Sequence, residues 1–309
     1  MSKPRIAVVG SLNMDIVVSM KRQPQMGETI AGDAVHYMPG GKGANQALGC
    51  SRLNAETTMI GCVGSDPFGP MVLDGLAASG VGLDSVGVLE GETTGTAHIS
   101  LAQGDNCIVV VAGANAMCTA AYVRQHEPAI SSADVVIAQL EIPLEAVIEA
   151  FSIAKGKNAA TILNPAPARA LPEELLLLTD YITPNESEWE LISGVSGQED
   201  EVLLGHTIAE WEKQYNSKVV MTRGDKGCSY VEEGQLKTFQ APRVKVVDTT
   251  GAGDSFNAAL AYGLAQRKPM AESVALAVTS ASLSVQRFGA QGGMPTLLEV
   301  EAALQPDNR

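Results

Sequence analysis

The strongest signal in the sequence is Asp248-Thr249-Thr250-Gly251-Ala252-Gly253-Asp254-Ser255-Phe256-Asn257. A β-branched run at residues 244–247 precedes it and predicts a strand, and the apolar periodicity of residues 257–264 predicts a helix after it. A strand that turns through glycines into a helix directs several backbone N–H groups at one point. Such a point binds anions, and phosphate above all.

Asp254 is the unexpected residue in this loop, because a carboxylate would repel a phosphate that was only being held there. The aspartate has a chemical task if it accepts a proton from an alcohol. The backbone N–H groups of Gly251, Ala252 and Gly253 would then hold the phosphoryl group under attack. The stretch therefore favours a phosphotransferase.

The composition narrows the class of protein and of partner. A chain of 309 residues with 45% hydrophobic and 18% charged residues is typical of a globular protein. The net charge of −14 argues against nucleic acid or an anionic membrane as a partner. Five cysteines without a C-x-x-C pair predict free thiols that are mostly buried, and the first apolar run is too short for a signal peptide, so we expect a cytoplasmic protein.

Short, continuously apolar runs alternate with helical stretches along most of the chain. Such runs are typical of parallel strands that are covered on both faces. The pattern predicts an α/β fold with a doubly wound, mostly parallel sheet and helices on both faces. The strands are predicted at residues 6–9, 58–63, 135–138, 160–163, 181–183 and 219–222, and the helices at 44–54, 70–79, 144–155, 203–215, 255–266 and 271–286.

Two segments, residues 15–39 and 93–112, contain strand-like alternation without helices. The turn Gln103-Gly104-Asp105-Asn106 predicts a hairpin within the second segment. We expect a small antiparallel sheet that projects from the main body as a lid, and an immobile β-extension is the alternative. Residues 1–309 are thus predicted to form one α/β domain with a lid subdomain.

Polar residues follow the predicted strands at their carboxyl ends, where ligands bind in open α/β sheets. Asn13 and Asp15 alternate to one side after the first strand, and their amide and carboxylate suit sugar hydroxyls. Glu141 follows a central strand. A plain turn remains the alternative for residues 13–15.

A glycine-rich turn, Gly40-Gly41-Lys42-Gly43-Ala44-Asn45-Gln46, enters a predicted helix. Its glycines let the backbone approach a ligand closely, and Lys42 and Asn45 are spaced to face the same ligand. A glycine-rich helix start with a solvated lysine is the equally weighted alternative.

Two further turns lie after later strands. Asn185 and Glu188 are three residues apart, so they could position hydrated magnesium, form a helix cap, or do both. The turn Thr222-Arg223-Gly224-Asp225-Lys226-Gly227 either admits a nucleotide or is a plain hairpin turn.

Two common nucleotide-binding motifs are missing from these turns. The lysine at position 42 is followed by glycine and no glycine stands at 36, so there is no Walker A motif. The third glycine of a dinucleotide fingerprint is also missing after Gly251 and Gly253. An NAD-dependent oxidoreductase is therefore a weak alternative.

In order along the chain, these pieces resemble the carbohydrate kinases typified by ribokinase, from Gly10 to Pro295. Residues 40–46 and 248–256 resemble the two signature regions of that family. The segments Asn164-Pro165-Ala166-Pro167-Ala168, Thr183-Pro184-Asn185-Glu186 and Gly289-Ala290-Gln291 resemble its ribokinase branch more than other members.

The resemblance implies a role for each matching position. Asp254 would be the catalytic base and Gly251, Ala252 and Gly253 the anion hole. The sugar would be held by Asn13, Met14, Asp15, Gly41, Lys42, Gly43, Ala44, Asn45, Glu141 and Asp254. ATP would lie against Asn185, Thr222, Arg223, Gly224, Asp225, Lys226, Gly227, Gly253 and Asp254.

The resemblance also implies two metal ions and an assembly. Glu188 would act on Mg²⁺ through water, and paired lids would form a homodimer. Phe288 and the Gly292-Gly293 pair depart from the family pattern, and Val278 stands where an adenine-side Asn or His often lies. A monovalent cation, K⁺, would be bound by Asp248, Thr250, Ser284, Arg287, Gly289 and Gly293.

The predicted function is ATP-dependent phosphorylation of D-ribose at its O5 hydroxyl. Asn13 favours ribose over 2-deoxyribose, because its amide can bond the 2-hydroxyl. Another pentose, a ketohexose or a nucleoside remain alternative substrates. A catalytically silent sugar-binding protein is the alternative from a different class, although such a protein would lack Asp254 or a glycine of the anion hole.

Overall fold

The computed structural model describes residues 3–103, 105–196 and 200–305. The strands are β1 Arg5–Val9, β2 Asn13–Ser19, β3 Ala34–Gly40, β4 Glu56–Gly64, β5 Gly82–Leu89, β6 Gly95–Ala102, β7 Asp105–Val111, β8 Val135–Ala138, β9 Ala160–Leu163, β10 Tyr181–Ile182, β11 Lys218–Thr222, β12 Cys228–Glu232 and β13 Gln235–Phe239. The helices are α1 Lys42–Arg52, α2 Phe68–Ala78, α3 Ala120–Gln125, α4 Glu127–Ser131, α5 Leu144–Gly156, α6 Glu173–Leu178, α7 Glu186–Ser193, α8 Glu201–Tyr215, α9 Ala252–Ala265, α10 Met270–Ser284, α11 Ala290–Gly293 and α12 Leu297–Leu304. Short 3₁₀ helices lie at Gly113–Met117 and Gly224–Lys226.

The main sheet has nine strands within the described residues, in the order β13-β12-β11-β10-β9-β8-β1-β4-β5. Every neighbouring pair from β11 to β5 is parallel, and only the β11–β12 and β12–β13 pairs in that sheet are antiparallel. The predicted mostly parallel α/β sheet is confirmed. The predicted helices are also present, with ends that differ from the observed ones by up to three residues.

Side chains on the two faces of the sheet enter two separate cores, as the alternation of a strand requires. Along β1, Ile6 and Val8 pack on one face with α1 and α9, whereas Ala7 and Val9 pack on the other face with α5. Strand β8, which is fully buried, has the continuous apolar sequence expected of a strand covered on both sides. The sheet therefore fixes the helix starts at its carboxyl edge.

The strand predicted at residues 244–247 is wrong. The segment is mostly exposed and belongs to no strand among the described residues. The N–H of Val247 instead donates to the carbonyl of Val285 at the end of α10, over 2.8 Å. A β-branched run favours an extended backbone, but a strand also needs a neighbouring strand edge to pair with.

A second sheet lies beside the first, in the order β3-β2-β6-β7. The outer pairs β2–β3 and β6–β7 are antiparallel, and the central β2–β6 pair is parallel. Its strands lie mostly within the predicted lid segments, although residues 20–33 form no strand. Of the predicted hairpin turn, Gln103 follows β6, Asp105 and Asn106 begin β7, and Gly104 lies outside the described residues.

The cysteines are free and mostly buried, as the composition predicted. Cys50, Cys62, Cys118 and Cys228 are buried and Cys107 is exposed, and all are free cysteines. In the part of the chain that the structure describes, every helix is too short or too polar to cross a bilayer.

Close approach of backbones makes glycine necessary at position 43. A Cβ added to Gly43 would lie 2.6 Å from Gly10 C and 2.6 Å from Ser11 N. Both atoms belong to the backbone that leaves β1, so neither can rotate away. The absence of a side chain at Gly43 is what lets α1 begin directly over the carboxyl end of β1.

We predict that Gly43→Ala lowers the melting temperature, because the added methyl group has to displace backbone. Overpacking of this kind costs about 1–3 kcal/mol. Gly156→Ala is the matched control, since Gly156 also lies in a helix but has no atom within 4 Å of an added Cβ. Differential scanning calorimetry of both variants checks the difference, and an unchanged melting temperature for Gly43→Ala would refute the packing argument.

Candidate active site

The polar residues singled out by the sequence meet at one edge of the main sheet. They follow the carboxyl ends of parallel strands β1, β8, β10 and β11, or they lie in the first turns of α1 and α9. This is the edge at which open α/β sheets bind ligands.

The loop before α9 is built around Gly251. Gly251 is the N-cap of α9 with φ of 79°, and a Cβ there would lie 2.7 Å from the Cβ of Ala290. Conformation and space therefore both require glycine. The Ala252 N–H donates to the carbonyl of Thr249 over 3.2 Å. The N–H groups of Gly251, Gly253 and Asp254 are thus the better candidates for an anion at this helix start.

Asp254 lies in the first turn of α9 and is only 6% exposed. Asn45 Nδ2 donates to its Oδ2 and Gln46 Nε2 donates to its Oδ1, each over 2.9 Å. Burial raises the pKa of this carboxyl above its ordinary value, with a smaller contribution from Glu141, and the positive charge of Lys42 and the two amide hydrogen bonds offset part of that rise. Two oriented donors and a nearby cation are the surroundings that a buried base needs to hold its charge.

Lys42 is the first residue of α1, and its positive charge interacts with four nearby carboxylates. Burial lowers the pKa of its ammonium, but Asp254, Glu141, Glu188 and Asp15 together outweigh burial and leave that pKa above its ordinary value. The backbone N–H of Lys42 also donates to Glu141 Oε2 over 3.0 Å. Lys42 therefore stays a cation. Its charge attracts both the carboxylates of the predicted sugar site and Glu188, the predicted magnesium residue.

The predicted sugar residues include Asn13 and Asp15 on strand β2 and Glu141 in the turn after β8. Burial, followed by the charges of Glu141 and Asp254, raises the pKa of Asp15 from 3.8 to about 7, against the opposing effect of Lys42. Asn13 is nearly buried, and its Oδ1 accepts a hydrogen bond of 2.7 Å from Asn115 Nδ2. That bond leaves the Nδ2 of Asn13 as the group that can donate to a ligand.

Three members of the predicted sugar set lie deeper than the rest. The side chains of Met14 and Ala44 are fully buried in the hydrophobic core. Gly43 is packed against the backbone of residues 10 and 11. Any contact of these residues with a sugar would come from the main chain. Gly41, the N-cap of α1 with φ of 88°, packs closely against Leu12 and Asn13.

The predicted ATP residues lie at the neighbouring strand ends. Asn185 and Thr222 form a parallel bridge between the ends of β10 and β11. Asn185 Oδ1 accepts from the Glu188 N–H and Glu188 Oε2 accepts from the Asn185 N–H, each over 2.8 Å. The capping box is therefore present, and burial raises the pKa of Glu188 while the Asn185 N–H and Lys42 oppose that rise.

The turn after β11 joins two strands, as predicted, and its two basic residues form ion pairs. Arg223 is buried and lies 3.5 Å from a carboxylate oxygen of Glu186 and 3.8 Å from one of Glu201. Lys226 lies 3.7 Å from the same Glu186 oxygen. Gly224, Asp225 and Lys226 form the 3₁₀ turn, and Gly227 follows it with φ of 90°.

The predicted cation residues form a loop cluster beside α9. Asp248 Oδ1 accepts from the N–H and hydroxyl of Thr250, over 2.9 and 2.7 Å, and its Oδ2 accepts from the Gly289 N–H over 2.9 Å. Burial raises the pKa of Asp248, but these hydrogen bonds outweigh burial and lower it, so the carboxylate stays ionised.

Ser284, Arg287 and Gly293 close the other side of this cluster. A Cβ on Gly293 would lie 2.5 Å from the Ser284 carbonyl oxygen, so a carbonyl points at the space beside this glycine. The Arg287 side chain forms an ion pair with Glu299 and leaves its main chain as the possible ligand. An ionised carboxylate with nearby carbonyls is a donor set that fits a hard monovalent cation such as K⁺.

The residues predicted to bind Mg²⁺ form a less complete ligand set than those predicted to bind K⁺. Glu188 is a single carboxylate, and no group of three or more metal-binding side chains occurs among the described residues. Mg²⁺ usually keeps several waters and binds through one or two carboxylates plus substrate phosphates, so one carboxylate at a nucleotide site is compatible with it.

Val278, at the position where related kinases often have an adenine-side Asn or His, packs in the core and is 3% exposed. Its apolar side chain is not a polar contact for adenine.

The sequence did not predict several residues that hydrogen-bond to the site residues, because no recognisable motif marks them. Asn115 accepts from the Leu12 N–H over 2.9 Å and bonds Asn13, yet nothing around it in the sequence marks it. Asn257 donates to the Gly253 carbonyl and accepts from the Thr183 hydroxyl, over 2.8 and 2.7 Å. Gln46 stands inside the glycine-rich turn, so its position in the helix start was the available signal.

Residues 3–297 match the pfkB family of carbohydrate kinases. The chain belongs to this family. The ribokinase of Bacillus subtilis is 43% identical over 299 residues, which are 97% of this chain and 99% of that protein. The predicted resemblance to ribokinase-like kinases is confirmed.

Solved structures of the family share the fold. The ribokinase of Arabidopsis thaliana, solved in complex with ribose and ATP, superposes with a TM-score of 0.92 at 32% identity, covering 99% of this chain and 100% of its own. An E. coli structure in complex with ATP and Mg²⁺ has a TM-score of 0.83 at 25% identity, covering 98% of this chain and 99% of its own. The family's fold therefore extends over the whole described chain.

We predict that Asp15→Asn stabilises the protein without ligand at pH 8 and not at pH 4. The folded-state pKa of about 7 exceeds the ordinary 3.8, so folding takes up a proton between these values and stability falls as pH rises through them. The gain at pH 8 should be roughly 2–4 kcal/mol.

Thermal melts of wild type and variant at both pH values measure this effect. The exposed carboxylate of Asp74 on α2 provides the control, and Asp74→Asn should follow the wild type at each pH. Equal melting temperatures for Asp15→Asn and wild type at pH 8 would contradict the destabilisation assigned to the buried charge of Asp15.

Proposed function

We propose that this chain transfers the terminal phosphoryl group of ATP to O5 of D-ribose and forms ribose 5-phosphate. The observation that carries the proposal is the buried Asp254 carboxylate, which two amides and Lys42 surround at the start of α9. The names and ligands of the ribokinase relatives support the choice of sugar and nucleotide.

In the proposed reaction Asp254 accepts the proton of the sugar hydroxyl. The O5–phosphorus bond forms as the bond from that phosphorus to the bridging oxygen of ADP breaks. The helix-start N–H groups of Gly251, Gly253 and Asp254 stabilise the charge on the transferring oxygens. Loss of one such donor typically costs about 10²–10³ in rate.

The proposed sugar site is formed by Asn13, Asp15 and Lys42, with Glu141 and Asn45 beside them. The buried Oδ1 of Asn45 has no hydrogen-bond partner in the described structure, and a ligand hydroxyl could donate to it. Asn13 supports ribose over 2-deoxyribose, because its free Nδ2 can bond the 2-hydroxyl. Leaving that donor unpaired on a deoxy sugar would cost roughly 1–3 kcal/mol.

The proposed nucleotide site extends from Asn185 to the turn at residues 222–227. Glu188 would hold Mg²⁺ through water, and the ion would supply charge neutralisation of the phosphates when bound. Asp248, Thr250 and the carbonyls near Gly289 would hold K⁺ next to the anion hole. Arg223 would contribute structurally through its ion pairs with Glu186 and Glu201.

Two parts of the proposal concern the whole chain. Residues 1–309 form one domain, and the four-stranded sheet acts as a lid that limits access of water. Strand β7 supports pairing of lids in a homodimer, because every residue of this edge strand is exposed and Ile108–Val111 are apolar. The free cysteines support the cytoplasm as the compartment.

A catalytically silent sugar-binding protein is less well supported. Sugar binding alone needs Asn13, Asp15 and Lys42. It gives no reason to bury Asp254 at a helix start, where desolvation opposes its charge.

We predict that Asp254→Asn retains the fold and ribose binding but lowers kcat by roughly 10²–10⁴-fold, the contribution of a positioned base. A coupled ADP-release assay measures turnover, and isothermal titration calorimetry measures ribose binding. Asp74→Asn, far from the site on an exposed helix face, should leave both unchanged. Turnover of Asp254→Asn near the wild-type rate would end the assignment of the base.

We predict that turnover rises several-fold when K⁺ replaces tetramethylammonium, because only the smaller ion fits between Asp248 and the carbonyls of the loop. Asp248→Asn should abolish most of this increase while keeping the basal rate. The same assay at constant ionic strength checks both expectations. Equal rates in the two salts would refute the proposed cation site.

A further inference from the structure

Gln46 is completely buried in the first turns of α1, directly beneath the Asp254 carboxylate. Its Nε2 donates to Asp254 Oδ1 over 2.9 Å and to Asn164 Oδ1 over 3.2 Å. Its Oε1 accepts from Gln139 Nε2 over 2.6 Å. All the polar atoms of this side chain are therefore used, and its partners come from α9 and from the ends of β8 and β9.

This network allows the Gln46 amide only one orientation. A rotation of the amide by 180° would turn Oε1 towards the Asp254 carboxylate and Nε2 towards the donor of Gln139. The second contact could be relieved by rotation of the Gln139 amide, but the first could not, because an ionised carboxylate only accepts hydrogen bonds; Asp254 therefore fixes which end of Gln46 faces it, and Gln139 matches that orientation. Gln139 is itself fully buried, which keeps water from replacing it.

The charged groups that face Asp254 do not make this donor redundant. Lys42 from α1 favours the ionised form, whereas Glu141 after β8 and Asp15 on β2 carry like charges nearby. Asn45 binds the other carboxylate oxygen, Oδ2. Gln46 is thus the donor that the structure gives to Oδ1.

We propose that Gln46 is a positioning residue for phosphoryl transfer, which holds the Asp254 carboxylate ionised and in one orientation so that it can accept the hydroxyl proton. The proposal rests on the proposed function, in which Asp254 is the base. Gln46 acts through Asp254 and needs no contact with the sugar.

The test is the pH dependence of kcat/KM for ribose in wild type and Gln46→Met. Methionine has a similar length and shape but no amide, so it removes the hydrogen bond to Asp254 together with those to Asn164 and Gln139, and it fills the same space. Because that bond favours the charged form, the acid limb should move up by about one pH unit or more. The KM for ribose should change less than about threefold, since binding is not the step that Gln46 serves.

Gln46→Glu supplies a second, independent readout if the methionine variant folds poorly. A protonated carboxyl at this position donates to Asp254 as the amide does, whereas its ionised form repels Asp254. Activity should therefore persist near pH ~6 and fall as pH rises, which adds a basic limb that the wild type lacks. Gln139→Met should shift the acid limb in the same direction as Gln46→Met, but less.

An unshifted acid limb in Gln46→Met, with a rate loss that is uniform across pH, would overturn the proposal and leave Gln46 as a packing residue. The absence of the basic limb in Gln46→Glu would overturn it as well. Failure of the proposed function is a different result, because then wild type would not phosphorylate ribose or Asp254→Asn would remain active.

Discussion

A carboxylate that is removed from water has to be compensated, and the compensation of Asp254 organises this protein. Desolvation opposes its charge, and Lys42, Asn45 and Gln46 oppose desolvation. All three come from the first turns of α1, so α1 has to start over the end of β1, where Gly43 touches the backbone of Gly10 and Ser11. The close packing of Gly43 thus places the three groups that compensate the charge of Asp254, the proposed base, at the start of α9.

The burial of charge also explains why the site contains electrostatic repulsion between carboxylates. Four carboxylates surround one lysine, and Asp15 has a pKa of about 7 because it is buried beside Glu141 and Asp254. Such an arrangement destabilises the protein without ligand, and the hydroxyl groups of the proposed sugar substrate would compensate it. A loss of stability at the residues of a site is common in enzymes, and the proposed function accounts for it here.

Much of the fold could be predicted, because continuous apolar runs and glycine turns are local signals. Strand β8 and helix α9 were found in this way, to within three residues. The segment at 244–247 was not, because a β-branched run records backbone preference and not whether an edge is free to pair. Within the site, Asp254 and Lys42 carried a local pattern, whereas Asn115 acts through contacts with residues about a hundred positions away.

The most direct test of the account is the position of the phosphate on the product. After incubation with ribose, ATP and Mg²⁺, two-dimensional ¹H–³¹P NMR identifies the carbon that carries the new phosphoester. The account predicts correlation of phosphorus with the protons on C5, with ADP formed in equal amount. Phosphate on C1, or ATP hydrolysis without a sugar phosphate, would contradict it.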